Sequence, residues 1–420
     1  MLVEFSVSNY LSFRDKATLS LVASVDKSHP GNLFAAESAG NLSLLKSVAV
    51  YGANASGKSN LIKALTFMRV FVLTSAGSKQ PGEVIPVVPF KLDPARQNQP
   101  SEFEVVFIHD RERYVYGFSL DSGRIHEEWL TVARKKSRLL FHRANGEIKF
   151  GPSWVGDRHK LKSLTRPDAL FLSVAVQFDN PTAKPVIDWF AKKLRVISDQ
   201  PEIASEKQYT MQLLEGNEEF ASSLTQFMRN ADLGLSGFRL EDGLPVTEAT
   251  LVLSDGSHRT INVSPSETTK AKRVLALHKT SDGKEIAFDL EAEESAGTHR
   301  LFALTGPWIH VFFEGCTLLV DELDSKLHPL ITRFLLQLVH GSDKHPQLVF
   351  TTHDCGLLDA DLFRRDQIWF TEKDVEGATH LYSLWDYRIH KVRNDESFRQ
   401  GYLRGRYGAI PFIGDLSFGE

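Results

Sequence analysis

The chain has 420 residues, enough to bury a large core and to form two or three lobes. Its 42% hydrophobic and 24% charged content are those of a globular protein, and no run approaches the roughly 18–20 apolar residues that a membrane span needs. A formal net charge of −4 gives no global pull toward nucleic acid, and two cysteines without a CxxC spacing argue against a zinc site or disulfide framework. The opening Met1-Leu-Val-Glu-Phe-Ser-Val carries an acidic residue and no basic stretch, so it does not read as a secretory signal, and a reducing, cytoplasmic setting is expected.

In chain order, residues 2–13 alternate in polarity and predict a strand running into a turn, and residues 18–25 predict another. The β-branched run Ser47-Val-Ala-Val-Tyr51 predicts a buried strand, and residues 60–70 are apolar at helical spacing. Between them, Gly52 to Ser59 read G-A-N-A-S-G-K-S, a full match to the phosphate-binding pattern GxxxxGK[ST]. Such glycines let backbone N–H groups close around phosphate oxygens at a helix N-terminus. Gly52, Asn54, Ala55, Ser56, Gly57, Lys58, Ser59 and Asn60 are therefore the expected nucleotide-binding residues. Lys58 would reach the β- and γ-phosphates, and the Ser59 hydroxyl would ligate Mg²⁺.

Residues 75–100 are rich in Pro, Gly and Gln and predict a loop. Residues 102–108, 113–120 and 127–134 then predict a β-meander, with Lys135-Lys-Ser-Arg138 as a hairpin turn. A short helix is predicted over 185–197 and a longer one over 209–230. Strand-like pieces return between 237 and 290, notably 249–253 and 274–278, around a polar loop at 264–272. There is no repeat and no heptad run of coiled-coil length. In the last third, buried strands are predicted at 317–320, 347–351 and 367–370, with an amphipathic helix at 329–340. Strands alternating with helices after a phosphate-binding loop predict a mainly parallel sheet.

Cys316-Thr-Leu-Leu-Val-Asp-Glu322 is an apolar strand ending in two carboxylates, the Walker B form. A parallel strand delivers its last residues to the sheet edge where the P-loop opens. Asp321 is the expected Mg²⁺ ligand, through water, and Glu322 the group that orients and deprotonates the attacking water. Glu294-Ser-Ala-Gly-Thr298 lies about twenty residues before this strand's end, Leu323-Asp324 directly follows Glu322, and Phe350-Thr-Thr-His-Asp354 follows the next strand.

These motifs in this order resemble the ABC-type ATPases, the group that includes the SMC heads, the RecF-like proteins and the OLD nucleases. The resemblance implies an α/β fold: an ABC-type P-loop ATPase head with a mixed central sheet, an N-terminal β lobe and an inserted α+β region without a long coiled coil. It places Ser295 and Gly297 in the signature motif, where they cap a γ-phosphate bound to a second subunit. It places Asp324 in the D-loop, working across the subunit seam, and His353 in the switch loop, sensing the γ-phosphate. Catalytic roles thus fall on Glu322, His353 and Lys58, with ATP and Mg²⁺ as cofactors. The signature reads Ser-Ala-Gly-Thr where the family has Ser-Gly-Gly. Gln177 is a candidate for the family's Q-loop glutamine.

Phe5-Ser-Val-Ser-Asn-Tyr-Leu-Ser-Phe-Arg14, Asp321-Glu-Leu-Asp-Ser-Lys-Leu-His-Pro329 and Gly401-Tyr-Leu-Arg-Gly-Arg-Tyr-Gly-Ala-Ile-Pro411 are similar to stretches of a bacterial family of stand-alone defence ATPases. That family includes RloA and the AbiL ATPase, with AriA of PARIS and PtuA of Septu as more distant relatives. The resemblance implies an antiviral, abortive-infection AAA family ATPase. It would form a homodimer or higher homo-oligomer and hold or release a separate effector, a nuclease or Toprim-like protein. A RecF-like DNA repair or recombination ATPase is the alternative. The expected layout is an N-terminal ATPase lobe over residues 1–135 and an inserted α+β region over 136–285. A C-terminal ATPase lobe follows over 286–385, then a basic segment over 386–420. Arginines and lysines between Arg388 and Arg406 fit either a solvated face or contact with a protein or nucleic-acid phosphate. Asp359-Ala-Asp361 mimics a Toprim DxD, but too little chain follows His353 for such a domain, so it reads as a solvated loop.

Overall fold

The computed structural model describes residues 1–36, 42–77, 82–134, 136–197, 200–216, 218–231, 234–245, 248–252, 258–262, 270–387 and 397–411. The chain forms two compact units, one of Met1–Asp199 with His310–Glu420 and one of Gln200–Ile309. Most of the predicted polar loop at 264–272, and the basic residues Arg388, Lys391 and Arg393, lie outside the described residues.

The larger unit carries two sheets. One has six strands in the order Leu194–Ile197, Thr317–Val320, Gln347–Thr351, Ser47–Gly52, Ile368–Lys373 and Thr379–Ser383. Its first five strands are parallel and the last is antiparallel. Ser47–Gly52 is central and every residue of it is buried, which is why Ser-Val-Ala-Val-Tyr-Gly shows no polar alternation. The other sheet has seven antiparallel strands, running from Glu147–Phe150 through the predicted meander to Leu2–Ser8 and Ala17–Ser20.

The helix Lys58–Thr74 follows the P-loop and joins one core with both sheets: Val48, Val50, Leu61, Leu65, Phe103, Val105 and Leu319 belong to it. Phe67 and Phe71 of the helix meet Phe103 and Phe118 of the antiparallel sheet at ring separations of 5.0 and 5.8 Å. Burying side chains of this size stabilises by roughly 1.5–3 kcal/mol each. The P-loop helix is thus clamped against a broad apolar surface, which fixes the position of its N-terminus.

Three segments differ from the sequence expectation. The stretch expected as one helix over 185–197 is a short helix (Lys184–Asp188), a π-turn (Trp189–Lys193) and the edge strand Leu194–Ile197 of the parallel sheet. Packing of Trp189 on Phe107, with ring centroids 4.2 Å apart, fixes the wide turn that frees the chain to pair with Thr317–Val320. The meander continues through Ser137–Ala144 and Glu147–Phe150. The helical region expected over 209–230 starts earlier, at Gln200, and its described residues fall in Gln200–Gly216 and Glu218–Asn230.

The smaller unit contains these two helices, a three-stranded antiparallel sheet and the start of the helix Ala296–Glu314. Phe220, Leu224, Phe227 and Met228 form the buried stripe of Glu218–Asn230, at the spacing one helix face requires. Helix Ala296–Glu314 holds Pro307, which lacks the N–H that would bond to Ala303 O. The Thr210 hydroxyl lies 3.5 Å from that carbonyl and accepts from Gly306 N at 3.1 Å. A Cβ on Gly306 would come within 2.3 Å of the same hydroxyl, so the close approach requires glycine. The longest described helix has 19 residues, and there is no long coiled coil among the described residues.

Candidate nucleotide-binding site

The P-loop leaves the central strand at Gly52 and enters its helix at Lys58. Gly57 has φ 113°, a conformation open to glycine and strained for other residues, and a Cβ there would lie 2.4 Å from Thr379 Oγ1. A Cβ on Gly52 would meet Thr371 O, Thr371 Oγ1 and Ser56 Oγ, each at 2.5 Å. Both glycines are therefore demanded by close packing around the loop.

That packing is a set of hydroxyl bonds from distant parts of the chain. Ser56 Oγ pairs with Thr371 Oγ1 at 2.7 Å, and Thr379 Oγ1 lies 2.8 Å from both Ser56 O and Ser12 Oγ. Asn60, at the second position of the helix after Lys58, donates to Ser12 Oγ at 2.8 Å and ties the helix to the turn after the first strand. Asn54 and Ala55 are exposed at the loop's tip, and Ser59 is half-buried at the helix start. The first backbone N–H groups of that helix have no acceptor within it, as at every helix start. Lys58 is buried and donates to Gly52 O at 2.8 Å and Ala53 O at 3.0 Å.

The Walker B strand brings Asp321 and Glu322 to the same sheet edge. Asp321 N donates to Ile197 O at 2.9 Å, and its carboxylate accepts from the Thr351 hydroxyl at 2.5 Å. Glu322 is exposed and has φ 51°, a left-handed conformation that costs a non-glycine residue about 1–2 kcal/mol. The turn is held by Glu322 N donating to Thr351 Oγ1 at 2.8 Å and Leu323 N donating to Thr351 O at 3.1 Å. Strain held in this way by surrounding bonds is characteristic of functional turns.

Asp324 and His353 meet where the next loops leave the sheet, with His353 N donating to Asp324 Oδ2 at 3.4 Å. Asp324 Oδ1 is buried without a hydrogen-bond partner. Electrostatics joins the whole set. Burial lowers the basicity of Lys58, and the carboxylates of Asp321, Glu322 and Asp324 oppose that shift. Partial desolvation lowers the basicity of the His353 imidazole, Lys58 lowers it further, and Asp324, Glu322 and Asp321 act against both. Five predicted residues from four motifs therefore share one electrostatic environment.

The signature residues are in the smaller unit. Ser295 caps the helix Ala296–Glu314: its hydroxyl accepts from Thr298 N at 3.1 Å and pairs with Thr298 Oγ1 at 2.9 Å. The helix thus begins at Ala296, directly after Ser295. Thr298, which follows Ser295-Ala-Gly297, is buried and closes the cap. Ser295 and Ala296 are exposed, and Gly297 is half-buried.

Gln177 does not fit the Q-loop role. It lies beside Gly77, 3.1 Å from where a Cβ on that glycine would sit, beyond the far end of the helix Lys58–Thr74. A helix of that length separates it from the P-loop by about 25 Å. Asp359 is ion-paired with Arg333 at 2.7 Å and accepts from Asp361 N, so the DxD is a structural turn.

The residues fit a magnesium–nucleotide complex. Among the described residues no cluster of three or more His, Cys, Asp or Glu side chains could hold a metal. Ser59 and Asp321 are hard oxygen donors of the kind that bind Mg²⁺ jointly with substrate phosphates. Thr351, Thr371, Thr379 and Ser12 escaped the sequence reading. The one signal available was a threonine ending an apolar strand two residues before His353.

The chain matches the family described as "AAA domain, putative AbiEii toxin, Type IV TA system" over residues 47–166 and 198–359. It belongs to that family. The matched segments hold the P-loop, residues 295–298, the Walker B strand and His353, so the fold is that of an AAA-family P-loop domain, in a family associated with abortive infection. No curated protein matches the chain. Among solved structures, the SMC head bound to the C-winged helix domain of ScpA is 14% identical, with a TM-score of 0.48, over 91% of this chain and 97% of that one. The SMC head domain from Thermotoga maritima is 12% identical, with a TM-score of 0.41, over 91% and 98%. The SMC head with an extended coiled coil bound to the C-terminal domain of ScpA from Pyrococcus furiosus is 13% identical, with a TM-score of 0.41, over 91% and 96%. No helix among the described residues is long and apolar enough to cross a membrane.

Proposed function

We propose that this AAA-family chain hydrolyses ATP, and that two copies close around two nucleotides to do so. The observation that carries the reading is the shared electrostatic environment of Lys58, Asp321, Glu322, Asp324 and His353 at the P-loop. Lys58 exchanges its loop carbonyls for β- and γ-phosphate oxygens. Ser59 and Asp321 hold Mg²⁺, which neutralises the charge that develops on the phosphates. Glu322 orients the attacking water and takes its proton, and His353 contacts the γ-phosphate. Ser295 and Gly297, at an exposed helix start, cap the γ-phosphate held by the second copy. Asp324, with one buried carboxylate oxygen unsatisfied, contacts that copy.

The abortive-infection association of the family and the resemblance to stand-alone defence ATPases support a cytoplasmic anti-phage role. In that role the dimer holds or releases a separate effector, a nuclease or Toprim-like protein. The test is ATPase rate against protein concentration, with Glu322→Gln beside the natural protein. Turnover per chain should rise with concentration. The variant should lose about 10²–10³-fold in rate and accumulate as an ATP-dependent dimer. A variant that neither traps a dimer nor loses turnover sinks the reading.

A further inference from the structure

The strand Gln347–Thr351 lies between the P-loop strand and the Walker B strand, and its last residue reaches past the Walker B strand's end. Thr351 is fully buried. Its hydroxyl donates to Asp321 Oδ1 at 2.5 Å and accepts from Glu322 N at 2.8 Å, and its carbonyl accepts from Leu323 N at 3.1 Å. A hydroxyl has one proton to give, and here it goes to the carboxylate. The O···O distance is that of a charge-assisted bond, about twice as strong as a neutral one. One side chain therefore fixes the carboxylate of Asp321 and the backbone of Glu322 together.

The same strand end leads through Thr352 to His353, whose N–H bonds to Asp324. Residue by residue, the switch segment runs beside the Walker B turn: 351 holds 321, 322 and 323, and 353 holds 324. We infer that Thr351 is a positioning residue that sets the metal-side carboxylate and the general base as one unit and ties that unit to the γ-phosphate sensor. The inference rests on the ATPase reading above. A valine would fill the same space and lose both bonds. A serine would keep both bonds and lose only a methyl group.

The experiment compares the natural protein with Thr351→Val and Thr351→Ser. Three quantities are measured: thermal unfolding, steady-state ATP turnover, and binding of a fluorescent ATP analogue against Mg²⁺ concentration, with EDTA as the metal-free point. For T351V, kcat should fall about 10–100-fold, with Mg²⁺ half-saturation of binding raised by a similar order, as when other outer-shell partners of a metal ligand are removed. Affinity for the analogue in EDTA should change by less than about threefold, since the P-loop contacts are untouched. T351S should stay within about threefold of the natural protein in every quantity. Two results overturn the inference: T351V with natural kcat and natural Mg²⁺ half-saturation, or T351S as impaired as T351V. If T351V does not fold, Thr351→Cys against Thr351→Ser carries the same contrast, because the thiol is a much weaker donor. If the natural protein binds the analogue but does not turn ATP over, the ATPase reading fails. The Mg²⁺ dependence of binding then still decides the role of Thr351.

Discussion

The P-loop cradle and the signature loop do complementary work in the proposed cycle, yet they are built in different ways. The hydroxyl buttresses around the P-loop and Walker B turn come from far along the chain: Ser12, Thr351, Thr371 and Thr379 bond to residues between about 30 and 320 positions away. The signature loop is held mostly from within. Ser295 bonds to Thr298, and the preceding turn is closed by Asp289 accepting from Glu291 N and Ala292 N. The longest reach is His278 to Glu294, at 2.6 Å. The first region is a receptor whose shape depends on the whole larger unit. The second is a local cap that presents a helix start, and it needs little else to be correct.

The largest expected effect breaks the first region while sparing the second. Gly57→Ala places a methyl group against Thr379 Oγ1 in a backbone conformation that disfavours it. ATP affinity should fall by about 100-fold or more, corresponding to a few kcal/mol of strain. Isothermal titration checks this, and binding within about threefold of the natural protein would show that the cradle adapts locally.

A smaller effect concerns pH. His340 is packed behind the start of the P-loop strand, with Nε2 2.7 Å from Ser47 Oγ. Burial, then the charge of Lys46, lowers its pKa from 6.5 to about 3. The folded protein therefore keeps His340 neutral, while the unfolded chain takes up a proton below pH 6.5. Stability from this group is complete above pH 6.5 and declines as pH falls toward 3, by about 1.4 kcal/mol per pH unit. Thermal melts of the natural protein and His340→Asn between pH 7 and 5 should show a shallower decline for the variant. Parallel curves would remove His340 as the source.

The smallest effect belongs to the signature. Ser295→Ala removes one cap and should cost about 1 kcal/mol of stability. ATP binding to a single copy should be unchanged, while turnover should fall about tenfold or more through loss of a charge-assisted contact. A loss of ATP affinity equal to the loss of turnover would contradict the division between the two regions.

The motifs legible in the sequence were those whose chemistry is contiguous. Gly52 to Ser59, the Asp321-Glu322 strand end and His353 could be placed because each is a short string on a predictable element. The buttressing hydroxyls were not legible, because Thr371 and Thr379 mean nothing until the sheet sets them beside Ser56. The strand Leu194–Ile197 hid behind a helical pattern, since a π-turn fixed by Trp189 ended the helix early. Asn60 belongs to the P-loop string, and its bond to Ser12 is set only by the fold.

Lys58 gives the loop a threshold. Its ammonium group is buried and already holds two carbonyls of its own loop. An arriving anion must therefore displace both of them, and the gain is the difference between new and old partners. On the proposed function, a chain of phosphates that also engages the helix N–H groups would gain more from that exchange than a single free phosphate. The loop would then favour ligands by how many oxygens they present at once, before any residue beyond it takes part.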